Sequence, residues 1–259
     1  MDLFAAMVLG IIQGLVEWLP LSSEAAVTLS GKFLFGMDYQ ESLGVAVFLH
    51  LGTLLSAAFY FRNEMSQMLR SIFSKTADKG LLLFLLLATL LSGIVAMPLL
   101  FLAFSMEIPD GLFTALIGLF LIFIAFLQKK QKAGAGRKLE LKNAIIPGLA
   151  QGFSALPGIS RSGITLAALL GEKFPLRDAF RLSFLMSIPI VFAAELMLPV
   201  IKQDFLITNE MLVGACAAAA AGFLSISALL KFAETVNFFR ATLSLGALVL
   251  ISGLAVLFL

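Results

Sequence analysis

Two apolar stretches, 3–35 and 144–170, are long enough to enter a membrane, yet each breaks near its middle, at Pro20 and at Pro157-Gly158. Proline removes a helical hydrogen bond and clashes with the preceding turn. At membrane depth irregular backbone survives only where protein or a wet cavity surrounds it. Each stretch is therefore expected to form a re-entrant helical hairpin. The two also resemble one another: GIIQGLVEWLPLSS begins at Gly10 and GLAQGFSALPGISRS at Gly148, each running through Gln-Gly and Leu-Pro into serines. Six further stretches, roughly 42–61, 81–104, 111–127, 182–200, 211–230 and 241–259, are each long enough to cross a core of about 30 Å at about 1.5 Å per residue. With 60% of its 259 residues apolar and 13% charged, against about a quarter charged in soluble domains, the chain reads as an all-α integral membrane protein. It is expected to have six transmembrane helices plus two re-entrant hairpins, with no separate soluble domain. The start, MDLFAAMVLG, lacks a basic region followed by a small-residue cleavage site and reads as structure.

Charge placement tests this layout. Arg62, Arg70, Lys75 and Lys79 fall in one loop, and Lys129, Lys130, Lys132, Arg137, Lys138 and Lys142 in the next but one. Lys173, Arg177 and Arg181 follow the second hairpin, and Lys231 and Arg240 follow the fifth span. If both hairpins return to their own side, all of these share one face, expected to be cytoplasmic. Lys32 and Lys202 remain on the other face, and Arg161 inside. The first hairpin then enters from outside and the second from inside. The expected organisation is one membrane domain, 1–259, of two inverted repeats, about 1–127 with hairpin 3–35 and about 143–259 with hairpin 144–170. Broken helices in inverted repeats, with helix N-termini aimed at an anion, are a known construction for membrane binding sites.

The hairpins carry the ionisable residues. A charge at this depth costs about 2.5–3.5 kcal/mol on insertion scales and usually marks a working site. Gln13 and Glu17, four apart, share a helix face; a carboxylate beside an amide suits metal coordination or water activation. The plainer alternative is a helix end with Glu17 reaching an interface, where Trp18 would also be at home. Ser22 or Ser23 can cap the following helix, and Glu24 in its first turn favours the helix dipole. From Pro157 to Thr165 the chain breaks and then opens a helix with Ser160, Arg161 and Ser162. Free amides, a guanidinium and hydroxyls describe a phosphate site, with Gly158 in the break and Thr165 one turn beyond Arg161. The alternative is a buried ion pair of Arg161 with Glu17 or Glu195. His50, the only histidine, and Glu195 lie inside apolar spans, as cavity lining or as satisfied core groups. Cys216 reads as a small packing residue, and Gly118, Gly214 and Gly222 as sites of close helix approach.

At these residues the chain resembles the undecaprenyl-diphosphate phosphatase family. That family's (E/Q)xxxE motif is matched by Gln13 and Glu17, and its PGxSRSxxT motif by Pro157, Gly158, Ser160, Arg161, Ser162 and Thr165; the HLGT stretch from His50 is similar too. One departure is clear. Members commonly read SSxGH after the Leu-Pro break, whereas this chain reads Ser22-Ser23-Glu24-Ala25-Ala26, so Ala26 stands at the histidine position. The resemblance implies a membrane hydrolase converting a polyprenyl diphosphate to the monophosphate and inorganic phosphate, which recycles the lipid carrier for envelope glycans. It implies Glu17, Ser23, Glu24 and Arg161 as catalytic residues, and Ser160, Ser162, Thr165, Gly158 and Ser22 as phosphate-binding residues. Glu17 and Gln13 would hold a divalent cation, Mg²⁺ or Ca²⁺. Without the histidine, Glu24 or Glu17 acts as base, or a metal-bound water attacks, or the activity has drifted. Expected partners are the lipid substrate and the surrounding lipid of the plasma membrane, with no nucleic acid and with a homodimer allowed. A transporter or flippase that moves a phosphorylated lipid without cleaving it is the alternative function.

Overall fold

A computed structural model describes residues 1–74, 78–105, 110–130, 139–156, 159–201, 206–232 and 238–258. Lys75, Lys132, Arg137, Lys138, Pro157, Gly158 and Lys202, all singled out above, lie outside the described residues. The described chain is all helical: α1 Leu3–Val16, α2 Ser23–Phe35, α3 Tyr39–Tyr60, α4 Arg62–Phe73, α5 Gly80–Ser105, α6 Asp110–Lys130, α7 Ile145–Gly152, α8 Arg161–Gly171, α9 Leu176–Ile201, α10 Asn209–Phe232 and α11 Phe238–Phe258. Short 3-10 turns, Leu141–Ala144 and Phe153–Ala155, flank α7.

Local chemistry sets the boundaries. Asp2 caps α1 by accepting the Ala5 N–H at 2.7 Å, and Asp38 caps α3 by accepting that of Glu41 at 2.7 Å. Such side-chain acceptors satisfy amides that have no intrahelical partner. Gly36, at φ +66, ends α2 in the left-handed conformation while its N–H returns to the Gly31 and Lys32 carbonyls. α3, α5, α9 and α10 are long and apolar enough to cross a membrane, whereas α1, Thr114–Phe126 and Thr242–Ala255 are shorter apolar helices.

Helix contacts come in matching pairs. α1 packs on α10 and α7 on α5; α2 packs on α3 and α8 on α9; α3 meets α10 and α9 meets α5; α6 pairs with α11. Glycines set the closest approaches. A Cβ at Gly10 or Gly14 would collide with the α10 backbone at Gly214 and Ala218, and one at Gly148 or Gly152 with the α5 backbone at Ala88 and Ser92. Gly118 meets Leu250, Gly214 meets Ala6, and Gly222 meets Ser56, as close packing requires.

The bundle has two distinct ends. One apolar cluster joins Phe61, Leu81, Leu139, Phe174, Leu176 and Leu230, the neighbours of Arg62, Lys79, Lys173, Arg177 and Lys231, so these basic residues share one end. A second cluster joins Met1, Phe35, Met37, Leu198 and Met211 at the other.

Two features differ from the sequence reading. Residues 62–73 form a helix, α4, rather than a loop. It is too short and polar to span; Ser71 is buried while Leu69, Ile72 and Phe73 are exposed, a pattern suited to an interface. An Arg181–Glu64 ion pair of 3.4 Å and the partly buried Met68 hold it to the bundle. Cys216 is exposed, so it is no packing residue; it faces outward because Gly214, Ala215 and Ala218 take the inward face of α10.

Candidate functional site

α1 ends at Glu17, and the turn through Trp18–Pro20 brings Ser22 and Ser23 back beneath it. Ser22 caps α2 by accepting the Ala25 N–H at 3.3 Å, from a left-handed φ of +64. Only an over-determined turn tolerates that conformation in a non-glycine residue. In the second hairpin Ser160 caps α8 by accepting the Gly163 N–H at 3.2 Å, and Arg161 is the first helical residue. The two turns meet. Ser162 Oγ donates to the Leu19 carbonyl of the first turn at 2.6 Å, and Thr242 Oγ1 on α11 donates to the Pro20 carbonyl at 3.2 Å.

Glu17 is the centre of this junction and is 4% exposed. Its Oε2 accepts from Ser23 Oγ at 2.5 Å and from Gln13 Nε2 at 2.8 Å, and lies 3.2 Å from His50 Nε2. Its Oε1 accepts from Arg161, whose guanidinium also donates to the Ser183 carbonyl at 3.3 Å and lies 5.8 Å from the Trp18 ring centroid. The His50 Nδ1 donates to the Ala46 carbonyl at 2.8 Å, which fixes the ring and aims Nε2 at the carboxylate. Trp18 is 1% exposed, so an interfacial role for it and for Glu17 is excluded; its indole N–H donates to the Gly222 carbonyl at 3.0 Å and its ring meets Phe184 edge-on.

The ion pair joins Arg161 to Glu17, not to Glu195. Stability alone is a poor reason for it, because a buried pair roughly breaks even against an apolar replacement. Its setting supplies a better one. Glu17 and Arg161 both line a chamber of about 160 Å³, together with Ser23, Glu24, His50 and Glu195. Ser22, Ser160 and Ser162 also reach it. Within it Glu24 makes no hydrogen bond or ion pair among the described residues, and Glu195 Oε1 is buried without a partner. The chamber thus joins a cation and helix-start amides on one side to carboxylates on the other; Gln151 and Ser154 add two more polar groups, and the rest of the wall is apolar.

Thr165 is not brought into the chamber. Its hydroxyl is fully buried behind Arg161, bonded to the Arg161 carbonyl at 2.7 Å and to Ser183 Oγ at 2.6 Å. Thr165 therefore braces the α8–α9 contact. Gly158, expected in the phosphate site, lies outside the described residues. Sequence reasoning missed Ser183, whose carbonyl and hydroxyl hold Arg161 and Thr165, since nothing marks one serine among the apolar residues of α9. It also missed Gln151, which lines the chamber and which the repeat itself could have flagged through Gln13.

Among the described residues no group of three or more His, Cys, Asp or Glu side chains is assembled to hold a metal. The donors that are present still fit a hard cation. Gln13 Oε1 is buried without a partner beside Glu17, and the Glu24 carboxylate is open to the chamber. Oxygen ligands of this kind suit Mg²⁺ or Ca²⁺, and Mg²⁺ is commonly held by one or two carboxylates plus substrate phosphates rather than by a protein cage.

A family model described as bacitracin resistance protein BacA matches residues 6–248. A protein of Methanococcoides burtonii named undecaprenyl-diphosphatase is 42% identical, over 96% of this chain and 97% of the relative. Proteins of the same name from Haloarcula marismortui and Saccharolobus solfataricus are 34% and 32% identical, over 98% and 95% of this chain and 98% and 94% of their own lengths.

Proposed function

Since the chain belongs to the bacitracin resistance protein BacA family, we propose that it hydrolyses a polyprenyl diphosphate of the undecaprenyl type to the monophosphate and inorganic phosphate, recycling the lipid carrier for envelope glycan synthesis. The observation that carries this reading is the contact set Ser23–Glu17–Arg161, formed between two hairpin turns and facing one chamber. The names of the relatives support the substrate class.

Arg161 and the first amides of α8 hold the diphosphate, and Ser160 and Ser162 shape the turn that presents them. A guanidinium and a helix N-terminus aimed at a transferring phosphoryl group stabilise its charge where water is scarce. Ser23 Oγ, already donating to Glu17 Oε2, attacks the terminal phosphorus while its proton passes to that oxygen, the adjacent base that a nucleophilic serine needs. The bond from phosphorus to the bridging oxygen breaks, and the prenyl monophosphate leaves. Water then attacks the phosphoserine and gives its proton to Glu24, which lines the chamber; the bond from phosphorus to Ser23 Oγ breaks, the serine takes back the proton held by Glu17, and phosphate leaves. His50, anchored on Ala46, keeps the Glu17 carboxylate turned toward Ser23. In this way Glu17 does the work of the histidine that Ala26 replaces. A divalent cation held by Gln13, Glu17 and Glu24 would neutralise charge on phosphate oxygens.

The wider architecture belongs to the same proposal. The chain is a multi-pass protein of the plasma membrane, with six spans and two re-entrant hairpins in inverted repeats, about 1–127 and 143–259. The matched helix contacts and the gathering of basic residues at one end support that reading. The cytoplasm lies at the basic end. The prenyl tail stays in the lipid and reaches the chamber from the side.

Phosphate release by the detergent-purified protein from a polyprenyl diphosphate tests the reading. Wild type is expected to turn over, and Arg161→Ala to lose nearly all turnover. Ser23→Ala is expected to be inactive as well; retained turnover would assign the attack to water. Equal release by wild type and Arg161→Ala would remove the site assignment altogether.

A further inference from the structure

α5 and α9 start from the same apolar cluster, where Phe84 and Ala88 pack with Phe180 and Leu185. Farther along, the two helices no longer fill the space between them. Gly93, Met97 and Leu100 on α5, and Ile190, Ala194 and Met197 on α9, line the chamber instead. Each trio is spaced i, i+4, i+7, so each occupies one helix face. Both helices carry a proline beside this wall, Pro98 and Pro189, which deprives the Ile94 and Leu185 carbonyls of their helical partners and favours bending there. Met97 is 44% exposed while also lining the chamber, so the fissure opens sideways, out of the bundle. Its inner end is continuous with the Arg161 side of the chamber.

Gly93 stands apart from the packing glycines. At Gly10, Gly14, Gly148 and Gly152 an added Cβ would strike a neighbouring helix, but at Gly93 it would meet nothing within 4 Å. A glycine inside a helix is destabilising relative to alanine, and here no close helix contact offsets that cost. What it leaves is open width in an apolar fissure leading from an anion-binding end.

We propose that the fissure between α5 and α9 receives the first isoprenoid units of the substrate, and that Gly93 sets its width. Methyl-branched chains are broad, and an apolar wall that starts at an anion-binding end and opens to lipid at the other matches them in shape and polarity. This rests on the reading of the site as a prenyl diphosphate hydrolase. Gly93 is a specificity-determining residue for the tail and does not act on the phosphates.

Two prenyl diphosphates, farnesyl diphosphate and a long polyprenyl diphosphate, test it, with inorganic pyrophosphate as a headgroup without a tail. Gly93→Leu is expected to raise KM for both prenyl substrates by about tenfold to a hundredfold, the range that one apolar group in a pocket commands. Pyrophosphate binding, read by calorimetry, is expected to stay at the wild-type value, which also reports that the variant is folded. Gly93→Ala should give a smaller shift, and Ala194→Leu, from the facing wall, the same pattern as Gly93→Leu. Wild-type KM values in Gly93→Leu and Ala194→Leu would overturn the proposal. So would equal effects of alanine and leucine at position 93, which would mean helix stiffening, or a parallel loss of pyrophosphate binding. If wild type released no phosphate from any prenyl substrate, the hydrolase reading would fail; the fissure would then be judged by whether Gly93→Leu weakens binding of farnesyl diphosphate relative to pyrophosphate.

Discussion

The two hairpins share a chassis and differ in chemistry. In each, a pair of glycines four residues apart presses the first arm onto a long helix, Gly10 and Gly14 onto α10, Gly148 and Gly152 onto α5. In each, a serine of that long helix donates to a glycine carbonyl of the arm: Ser225 to Gly14 at 2.6 Å, Ser92 to Gly148 at 2.8 Å. Each places a glutamine inside the GxxxG segment and a serine cap at the start of the second arm. The glutamines then part ways. Gln13 Nε2 donates to Glu17, whereas Gln151 Nε2 donates to Ser92 Oγ at 3.0 Å, bracing its own hairpin. Four residues after each glutamine the first hairpin has Glu17 and the second Ala155. After the break, the first offers Ser23 and Glu24 and the second Arg161. One scaffold, used twice, thus brings a carboxylate from one side and a guanidinium from the other, and the site exists only where they touch.

The largest test of that division is its cationic half. Arg161→Ala is expected to lower kcat by about 10³–10⁵, as removal of a charge-stabilising arginine does in phosphoryl transfer, and Arg161→Lys to recover little, because a lysine cannot span Glu17 and the Ser183 carbonyl with one planar fork. Full activity of the lysine variant, measured by phosphate release, would mean that only net charge matters there. The acidic half should appear first in stability. Glu17→Ala strands Arg161, Gln13, Ser23 and His50 and is expected to cost about 3–5 kcal/mol, read as a lowered unfolding midpoint in detergent. The double variant Glu17→Ala with Arg161→Leu is expected to regain part of that loss while remaining inactive. If Glu17→Ala alone were as stable as wild type, the pair would not be the junction that holds the two turns together.

The shared chassis predicts a smaller and symmetric effect. Gly14→Ala and Gly152→Ala each force a methyl group against a neighbouring helix, Gly14 on Ala218 and Gly222, Gly152 on Ser92 and Val95. Overpacking of this kind costs about 1–3 kcal/mol. Comparable losses at both positions are the expected outcome of thermal unfolding. A loss at one position and none at the other would break the equivalence of the hairpins.

Much of this arrangement was legible in the sequence because membrane solvent leaves few choices. The described part of each of the six apolar runs follows a single helix to within one residue, and Pro20 lies in the turn between α1 and α2, since the first follows from length and the second from a missing N–H. Glu17, Ser23, Arg161 and His50 stand out in the sequence because a polar residue in an apolar run is conspicuous, and the structure brings the four into contact. The assembly of Glu17 with His50 was not legible, because it depends on how α3 packs against α1, over which the spacing of residues in one chain says nothing. Thr165 misled for a related reason: sharing a helix face with Arg161 does not fix which side of that face the chamber touches, and Ser183 on α9 took its hydroxyl. α4 was missed because twelve mixed residues between two spans carry no membrane-length signal. Gly93 was passed over because glycine in an apolar run ordinarily means close packing, and only the facing geometry shows that nothing is there.

The finest comparison is between the two caps. Ser22 and Ser160 do the same job with an oxygen, yet Ser22 holds φ at +64 and Ser160 at −58. Replacing a serine cap by alanine costs about 1 kcal/mol, and by glycine only a few tenths. At Ser160, alanine is therefore expected to be clearly worse than glycine, and both mildly worse than serine. At Ser22 the backbone adds a second contribution, because a left-handed φ strains any side chain with a Cβ and is free for glycine. Ser22→Gly is expected to match or exceed wild-type stability, while Ser22→Ala loses the cap and keeps the strain. Thermal unfolding of the four variants reads this directly. A Ser22→Gly protein less stable than Ser22→Ala would mean that the first turn needs the serine for its position against Glu17 and not for the start of α2, and the resemblance of the two breaks would end at the proline.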